Sequence, residues 1–123
     1  MSIKIFTDGS SRGNPGRGGY GVVLLSGKYR KEISCGFSIT TNNRMELLAV
    51  IVGLEAVKKE NSIITVYSDS KYVVDAVEKK WVFGWEKKNF KNKKNPDLWV
   101  RFLKIYHKQR VSFVWVKGHS NIE

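Results

Sequence analysis

The sequence is poor in several kinds of residue that mark large classes of protein. Its single cysteine, Cys35, can form no disulfide within the chain and cannot by itself supply a zinc site built from thiolates, so a small buried side chain is its simplest interpretation. Two prolines and no internal repeat leave nothing that looks like an interdomain linker. No apolar run approaches the roughly 20 residues of a membrane span, and the chain opens without the charged and apolar leader of a secreted protein. We therefore expect a cytoplasmic protein with no membrane or disulfide partner.

Acidic residues are also scarce: 11 aspartates and glutamates stand against 22 lysines and arginines, for a formal net charge of +11. Such an excess costs self-repulsion unless an anion is bound, and nucleic acid is the first candidate. With 123 residues, 41% of them apolar, the chain is expected to form a single domain over 1–123 with one modest core. Seven lysines and one glutamate fall within residues 79–96, KKWVFGWEKKNFKNKKNP, which also carry four large aromatic side chains.

The spacing of apolar residues predicts a sheet with helices. Alternating or short apolar runs predict strands over residues 3–7, 20–25, 29–39, 63–67 and 111–116. A glycine-rich turn is expected over 9–19. Helical spacing, with capping residues before it, predicts helices over 45–59, 68–78 and 96–106. A three-stranded meander followed by helix, strand, helices and strand favours a mixed α/β sheet, because the later crossovers must be right-handed and parallel.

Three carboxylates fall where such a sheet would gather them. Asp8 ends the first predicted strand, Asp69 ends the fourth, and Glu46 lies in the first turn of the long predicted helix. Ligands bind at the carboxyl ends of parallel strands, so these side chains converge if strands one and four are neighbours. Oxygen donors of this kind suit a hard ion such as Mg²⁺ or Mn²⁺, which would also relieve their mutual repulsion.

Each carboxylate also has an ordinary structural interpretation. Asp69 fits the N-cap of the following helix, and Glu46, three residues after Asn43, fits a capping box. Asp8 before Gly9 fits a turn. Taken one at a time, these patterns leave the structural and the metal-binding interpretations open.

Four segments taken together resemble a known family. They are FTDGSSRGNPG at 6–16, TTNNRMEL at 40–47, YSDS at 67–70 and WVKGH at 115–119. Their order and approximate spacing are similar to those of bacterial type 1 ribonuclease H over essentially the whole chain. The resemblance implies a ribonuclease H-like α/β fold, with a five-stranded mixed sheet in the order 3-2-1-4-5 and helices on both faces. It also implies an endonuclease that hydrolyses the RNA strand of RNA/DNA hybrids with two divalent ions, Mg²⁺ or Mn²⁺.

The resemblance assigns roles to individual residues. Asp8, Glu46 and Asp69 become metal ligands and catalytic residues, with Gly9 beside the metal. His119 becomes a mobile base or product-release group, since a histidine can move a proton near neutral pH. Without the other motifs, His119 would be an ordinary loop histidine.

The resemblance is incomplete at the carboxyl end. Type 1 enzymes carry a fourth carboxylate beyond the histidine, on a further helix, whereas this sequence ends at Glu123. A fragment, a natural short form, and a catalytically inactive binding module for hybrids or double-stranded RNA are all open interpretations. We expect a weakened second metal site, for which Glu123 is a poor substitute because a fraying terminus costs entropy to hold. The family is monomeric, but an uncovered apolar face favours self-association here.

The resemblance also places amide side chains on the nucleic acid. Asn14, Asn42 and Asn43 are expected at the minor groove, where 2′-hydroxyls distinguish RNA from DNA, and Lys71 is expected at a phosphate. Turn or cap chemistry is the alternative use of the asparagines, and both uses can coexist.

Residues 79–95 resemble the basic protrusion of the family, a short helix and loop that grips the DNA strand. Lysines would neutralise phosphates beside flat aromatic rings, and the expected contacts include Trp81, Trp85, Lys87 and Lys88. A solvated face whose aromatic rings dock on the core is the alternative, and we expect Trp81 and Phe83 to dock there in part.

Overall fold

The computed structural model describes residues 2–117, which form one mixed sheet and four helices. The strands are, in chain order, β1 Ser2–Gly13, β2 Gly16–Ser26, β3 Tyr29–Thr40, β4 Ile63–Ser68 and β5 Arg110–Trp115. The helices are α1 Asn42–Glu55, α2 Lys71–Glu78, α3 Trp81–Lys87 and α4 Pro96–Tyr106. All of the predicted strands and helices are present, and α3 lies in the basic segment.

The sheet has the order β3-β2-β1-β4-β5, as the sequence predicted. Strands β1, β2 and β3 form an antiparallel meander, whereas β4 pairs parallel to β1 and β5 pairs parallel to β4. The adjacency of β1 and β4 brings two distant parts of the chain to one end of the sheet, where ligands of α/β folds bind.

The hairpin between β1 and β2 is tighter than its glycines suggested. Pairing continues from Asp8 opposite Gly21 as far as Gly13 opposite Gly16, so the predicted turn over 9–19 is wrong. Between the strands lie only two residues, Asn14 and Pro15, joined by a cis peptide bond. A glycine-rich run can therefore belong to a strand when neighbouring backbone lies too close for side chains.

Helix α1 is buried on most sides, as its all-round apolar pattern predicted. Its N-cap is Thr41, whose side chain accepts a hydrogen bond from the backbone N–H of Arg44 at 3.3 Å. The helix ends at Glu55 rather than at residue 59. Beyond it, the Gln109 side chain donates to the carbonyl of Lys59 at 3.1 Å and holds the chain in a turn towards β4.

One hydrophobic cluster joins the helices to one face of the sheet. The central strands contribute alternate buried residues to it, including Ile5 on β1 and Val66 on β4, and the largest buried side chains come from α4, Trp99 and Phe102. The opposite face carries Phe6 stacked on Tyr67 with ring centroids 4.6 Å apart, and Phe6 is 39% exposed. Within residues 2–117 the helices thus cover one face, whereas the resemblance predicts helices on both.

The position of Cys35 differs from its predicted burial. The residue lies on β3, an edge strand of the sheet, and is exposed. The expectation of a small buried side chain was therefore wrong. Among the residues described, no helix is both long enough and apolar enough to cross a membrane.

Candidate active site

Two parallel strands and the start of a helix bring the predicted carboxylates together. Asp8 lies on β1, Asp69 directly follows β4, and Glu46 lies near the start of α1. Because β1 and β4 are parallel neighbours, both aspartates reach the same end of the sheet. One carboxylate oxygen from each residue lies within 4.8 Å of the others. In residues 2–117 these side chains form the one group of three or more possible metal ligands, and the predicted convergence is confirmed.

The two aspartates do not have the ordinary structural roles that their sequence positions allowed. Ser70, not Asp69, is the N-cap of α2, and its hydroxyl accepts a hydrogen bond from the Val73 N–H at 3.2 Å. Asp8 lies within the β1–β2 ladder opposite Gly21 rather than in a turn. Helix capping and turn geometry therefore do not explain why acidic residues occupy these positions.

Glu46 likewise takes no part in a capping box with Asn43, since Thr41 caps α1. Its carboxylate instead accepts a hydrogen bond from the backbone N–H of Gly9 on β1, with 3.1 Å between N and Oε1. The residue is 5% exposed. Glu46 is thus held across the gap between helix and strand, with its carboxylate directed at the aspartates.

Gly9 allows α1 to approach β1 this closely. A β-carbon at position 9 would lie 2.5 Å from the Met45 carbonyl oxygen and 2.7 Å from the Glu46 backbone nitrogen, too close for any side chain. The absence of a β-carbon also leaves the Gly9 N–H open to the Glu46 carboxylate. Gly9 therefore lies against Glu46, and its predicted place beside a metal stays a prediction.

The carboxylates repel one another in the absence of a cation. Burial, a hydrogen bond between the protonated Glu46 carboxyl and Asp69, and the charges of Asp69 and Asp8 together raise the pKa of Glu46 from 4.5 to about 9, while the hydrogen bond from the Gly9 N–H acts in the opposite direction. A proton on Glu46 therefore takes the place of positive charge in the metal-free site.

The donor set fits a hard divalent cation. All the available ligand atoms are carboxylate oxygens, which Mg²⁺ and Mn²⁺ prefer to softer donors. A dication between the carboxylates would remove the repulsion that keeps Glu46 protonated. The site thus fits such an ion by ligand type, spacing and electrostatics. Two residues considered for this site, His119 and Glu123, lie outside the described residues.

A polar groove of about 800 Å³ adjoins the start of α1. It brings together five of the residues predicted to bind substrate: Asn14, Asn42, Asn43, Trp81 and Trp85. The other three, Lys71, Lys87 and Lys88, are exposed but do not line it. Lys71 lies 4.8 Å from the centre of the Trp115 ring.

Asn14 has a structural role at the edge of the groove. Its Oδ1 accepts hydrogen bonds from the Asn42 N–H at 2.8 Å and from the Ser11 hydroxyl at 3.1 Å. The hairpin tip is thereby joined to the start of α1. The carbonyl end of the amide holds the two elements together, and Asn14 also lines the groove, while its contact with nucleic acid stays a prediction.

The basic segment is anchored to the core through residues that the sequence did not single out. Val82 is fully buried and Phe90 is 7% exposed, whereas Trp81 is 49% exposed, so its expected docking on the core was wrong. Phe83 packs partly against the core, as predicted, and Trp85 meets Trp99 edge-on at 5.7 Å. The anchored segment therefore presents Trp81 and its lysines outward.

The groove also contains residues to which the sequence analysis gave no individual role. Tyr72 and Asn95 line it, together with Lys93 and Lys94 of the basic segment. Lys93 lies 4.9 Å from the centre of the Trp85 ring. The hydroxyl at the end of the mostly apolar Tyr72 side chain is the feature of the sequence that could have indicated a position on the groove.

A mixed α/β sheet that gathers three carboxylates at the ends of parallel strands, beside a basic, amide-lined groove, defines a metal-dependent enzyme acting on nucleic acid. The sequence model of the RNase H family matches residues 1–123. The chain is 55% identical to the ribonuclease H of Trichodesmium erythraeum over 98% of its own length and 80% of that protein. It belongs to the ribonuclease H family and is an enzyme of that family, as the four motifs predicted.

Solved structures agree with this assignment. LC9-RNase H1, described as a type 1 RNase H with the type 2 active-site motif, matches with a TM-score of 0.84 and 27% identity over 97% of this chain and 64% of that one. LC11-RNase H1, solved in complex with an RNA/DNA hybrid, matches with a TM-score of 0.70 and 29% identity over 98% of this chain and 88% of that one.

Proposed function

We propose that this enzyme hydrolyses the RNA strand of RNA/DNA hybrids as an endonuclease, with Asp8, Glu46 and Asp69 holding the divalent ions that the reaction needs. The observation that supports this most is the approach of the three carboxylate oxygens to within 4.8 Å, beside a groove lined by amides and lysines. A binding module without catalysis would leave this costly cluster of like charges with no purpose.

The chemistry of the site depends on how the chain holds its ligands. Bound divalent ions supply an activated water and stabilise the leaving oxygen of an in-line displacement. The Gly9 N–H fixes the Glu46 carboxylate towards the strands, and Glu46 must lose its proton before it can act as a ligand. We assign His119 the transfer of a proton near the leaving group or product, which suits a histidine at neutral pH.

We further propose two ions of unequal affinity, either Mg²⁺ or Mn²⁺. Three carboxylates among residues 2–117 are few for two dications, so one ion should bind more weakly than the other. Mn²⁺ should then support activity better than Mg²⁺ at low concentration, because it binds such ligands more tightly and tolerates less regular geometry. Calorimetric titration of each metal into the protein would give the number of sites and their affinities.

Hybrid recognition is proposed to divide between two surfaces. The amides of Asn14, Asn42 and Asn43 face the minor groove and its 2′-hydroxyls. The anchored basic segment, with Trp81, Trp85, Lys87 and Lys88, neutralises phosphates of the DNA strand, and Lys71 takes a further phosphate. This division predicts backbone recognition with little dependence on base sequence.

We also propose that residues 1–123 act as one domain in the cytoplasm and that the protein is a monomer. If the protein self-associates, the face of the sheet that carries Phe6 and Tyr67 is the surface that we expect to be involved. Cell fractionation tests the compartment, and sedimentation velocity at assay concentration tests the oligomeric state.

Cleavage of an end-labelled RNA/DNA hybrid in Mg²⁺ or Mn²⁺ tests the activity, with the Asp8→Asn variant as control. We expect cuts within the RNA strand by the parent protein only. Hybrid binding without cleavage by the parent, in either metal, would support the inactive binding module instead. Single-stranded RNA and the matched DNA duplex should stay intact.

A further inference from the structure

Asp69 lies one residue beyond the regular backbone pairing that holds β4 in the sheet. The pairing of β4 with β1 ends at Tyr67, and its pairing with β5 ends at Ser68, opposite Trp115. A backbone hydrogen bond from the Val116 N–H to the Ser68 carbonyl, at 2.9 Å, closes this end of the β4–β5 ladder. The ladder therefore does not fix the backbone of this proposed metal ligand, and other groups must do so.

The peptide group between Asp69 and Ser70 is held at both edges by side chains. Its N–H, on Ser70, donates a hydrogen bond to the Ser68 hydroxyl oxygen at 3.1 Å. Its carbonyl, on Asp69, accepts a hydrogen bond from the indole Nε1–H of Trp115 at 3.3 Å. Because a peptide group is planar, contacts at both edges orient it, and with it the backbone from which the Asp69 carboxylate reaches the other carboxylates.

The Trp115 ring also contacts the residue that follows the helix cap. Ser70 is the N-cap of α2, and Lys71 is the first residue of that helix. The Lys71 ammonium lies 4.8 Å from the centre of the Trp115 ring, within the range of a cation–π interaction. One side chain thus contacts the residues on either side of Ser70, a proposed metal ligand through its N–H and a proposed phosphate contact through its ring.

Packing alone does not explain a tryptophan at position 115. Trp115 is 43% exposed and is not part of the hydrophobic cluster, whereas Trp99 is fully buried in it. Phe113, on the same strand, supplies the core contact of β5. Trp115 also begins the segment WVKGH, in which the sequence analysis gave a role to His119 alone. The contacts with Asp69 and Lys71 therefore give the better account of this residue.

We infer that Trp115 is a positioning residue for the turn formed by residues 69–71. Its indole N–H fixes the Asp69 backbone for metal binding, and its ring presents the Lys71 ammonium to a phosphate of the bound hybrid. The inference rests on the proposed function. Trp115 acts through these two neighbours and not on the reacting atoms. Loss of the N–H should therefore lower metal affinity, and loss of the ring should in addition lower hybrid affinity.

Two substitutions at position 115 separate these effects. Trp115→Phe keeps an aromatic ring for the ammonium but removes the N–H, whereas Trp115→Leu removes both. Mn²⁺ affinity is measured by calorimetric titration of the metal-free full chain, and hybrid affinity by fluorescence anisotropy of a labelled RNA/DNA hybrid in EDTA. Both variants should bind Mn²⁺ about fivefold more weakly, the loss of about one hydrogen bond. Trp115→Phe should bind the hybrid as the parent does, and Trp115→Leu about threefold more weakly, the loss of about one exposed cation–π contact.

Two further variants serve as controls. Val111→Ala, nearer the start of β5, removes a contact with the core and should lower Tm while both affinities stay parental. Lys71→Met should weaken hybrid binding at least as much as Trp115→Leu does, without lowering Mn²⁺ affinity. The double variant Lys71→Met with Trp115→Leu should bind the hybrid no more weakly than Lys71→Met alone, because the ring acts through the ammonium.

The outcomes distinguish this inference from the proposed function. Parental Mn²⁺ affinity in Trp115→Phe, or an equal loss in Val111→Ala, would overturn the role towards Asp69. Parental hybrid affinity in Trp115→Leu, or additive losses with Lys71→Met, would overturn the role towards Lys71. A parent protein that binds no Mn²⁺ would refute the proposed function itself, whereas a parent that binds Mn²⁺ with an inert Trp115 refutes only this inference.

Discussion

Replacing Glu46 by glutamine should change how the stability of the metal-free enzyme depends on pH. Burial and the neighbouring aspartates raise the pKa of Glu46 from 4.5 to about 9. The folded state therefore binds this proton more tightly than the unfolded chain does. The resulting stabilisation is fully present below pH 4.5 and is lost as the pH rises towards about 9. A glutamine has nearly the shape of the protonated carboxyl and does not titrate.

The expected size of the effect follows from the pH range between the ordinary pKa of Glu46, 4.5, and its pKa of about 9 in the folded protein. Each pH unit within it removes up to about 1.4 kcal/mol of unfolding free energy from the parent protein. Between about pH 6 and 8, Glu46 should therefore account for a loss of about 2 to 3 kcal/mol. For a chain of this length that corresponds to a separation of about 10 °C in Tm between the parent and Glu46→Gln.

Thermal unfolding followed by circular dichroism in EDTA measures the effect. The two proteins should have similar Tm at the acidic end of the range, and the glutamine variant should be the more stable at the alkaline end. Glu60→Gln, at an exposed glutamate, is the matched control and should follow the parent. Added Mg²⁺ should restore stability to the alkaline parent but not to Glu46→Gln. If Tm changed with pH in the same way in the parent and in Glu46→Gln, the electrostatic account of the site would be refuted.

Three further outcomes are expected. Asp8→Asn and Asp69→Asn should each abolish metal-dependent cleavage while hybrid binding survives, so parental cleavage rates would exclude the residue concerned as a ligand. Alanine at several lysines within 79–94 should weaken binding and reduce the slope of log affinity against log salt by about one per lost phosphate contact, and an unchanged slope would place the segment away from the hybrid. Gly9→Ala should cost about 3 kcal/mol in urea unfolding, because its methyl group meets the backbone of α1, whereas Gly21→Ala, with nothing within 4 Å, should cost little.

The fold could be predicted from the sequence in those parts where the spacing of apolar side chains and the rules for strand connections point to the same structure. The apolar pattern predicted all five strands, although β1 and β2 extend beyond their predicted bounds, and the family resemblance supplied the strand order. The prediction failed at the β1–β2 hairpin because glycine has no side chain to reveal its environment. The same residue type serves a flexible loop and a crowded ladder, and only the neighbouring α1 backbone shows why Gly9 is needed.

The candidate site was predictable to the extent that its residues lie in short motifs. Asp8, Glu46 and Asp69 were identified because each stands in a distinctive segment. The Trp115 and Asp69 contact was not, because it joins positions far apart along the chain and depends on how β5 lies beside β4. Contacts of this kind follow from tertiary packing, which local pattern does not encode.

The parallel pairing of β1 with β4 has a consequence for the order in which the chain can fold during synthesis. Strand β1 pairs with β2 as soon as the hairpin leaves the ribosome, but its other edge must wait for β4, about 50 residues later than Gly13. At translation rates of about 5 to 20 residues per second, that edge stays open for roughly 3 to 10 seconds. During this time the nascent meander exposes an unpaired strand and the apolar surface that α1 will cover, which are the features that promote aggregation. The three carboxylates therefore meet only after the chain has passed its most vulnerable stage.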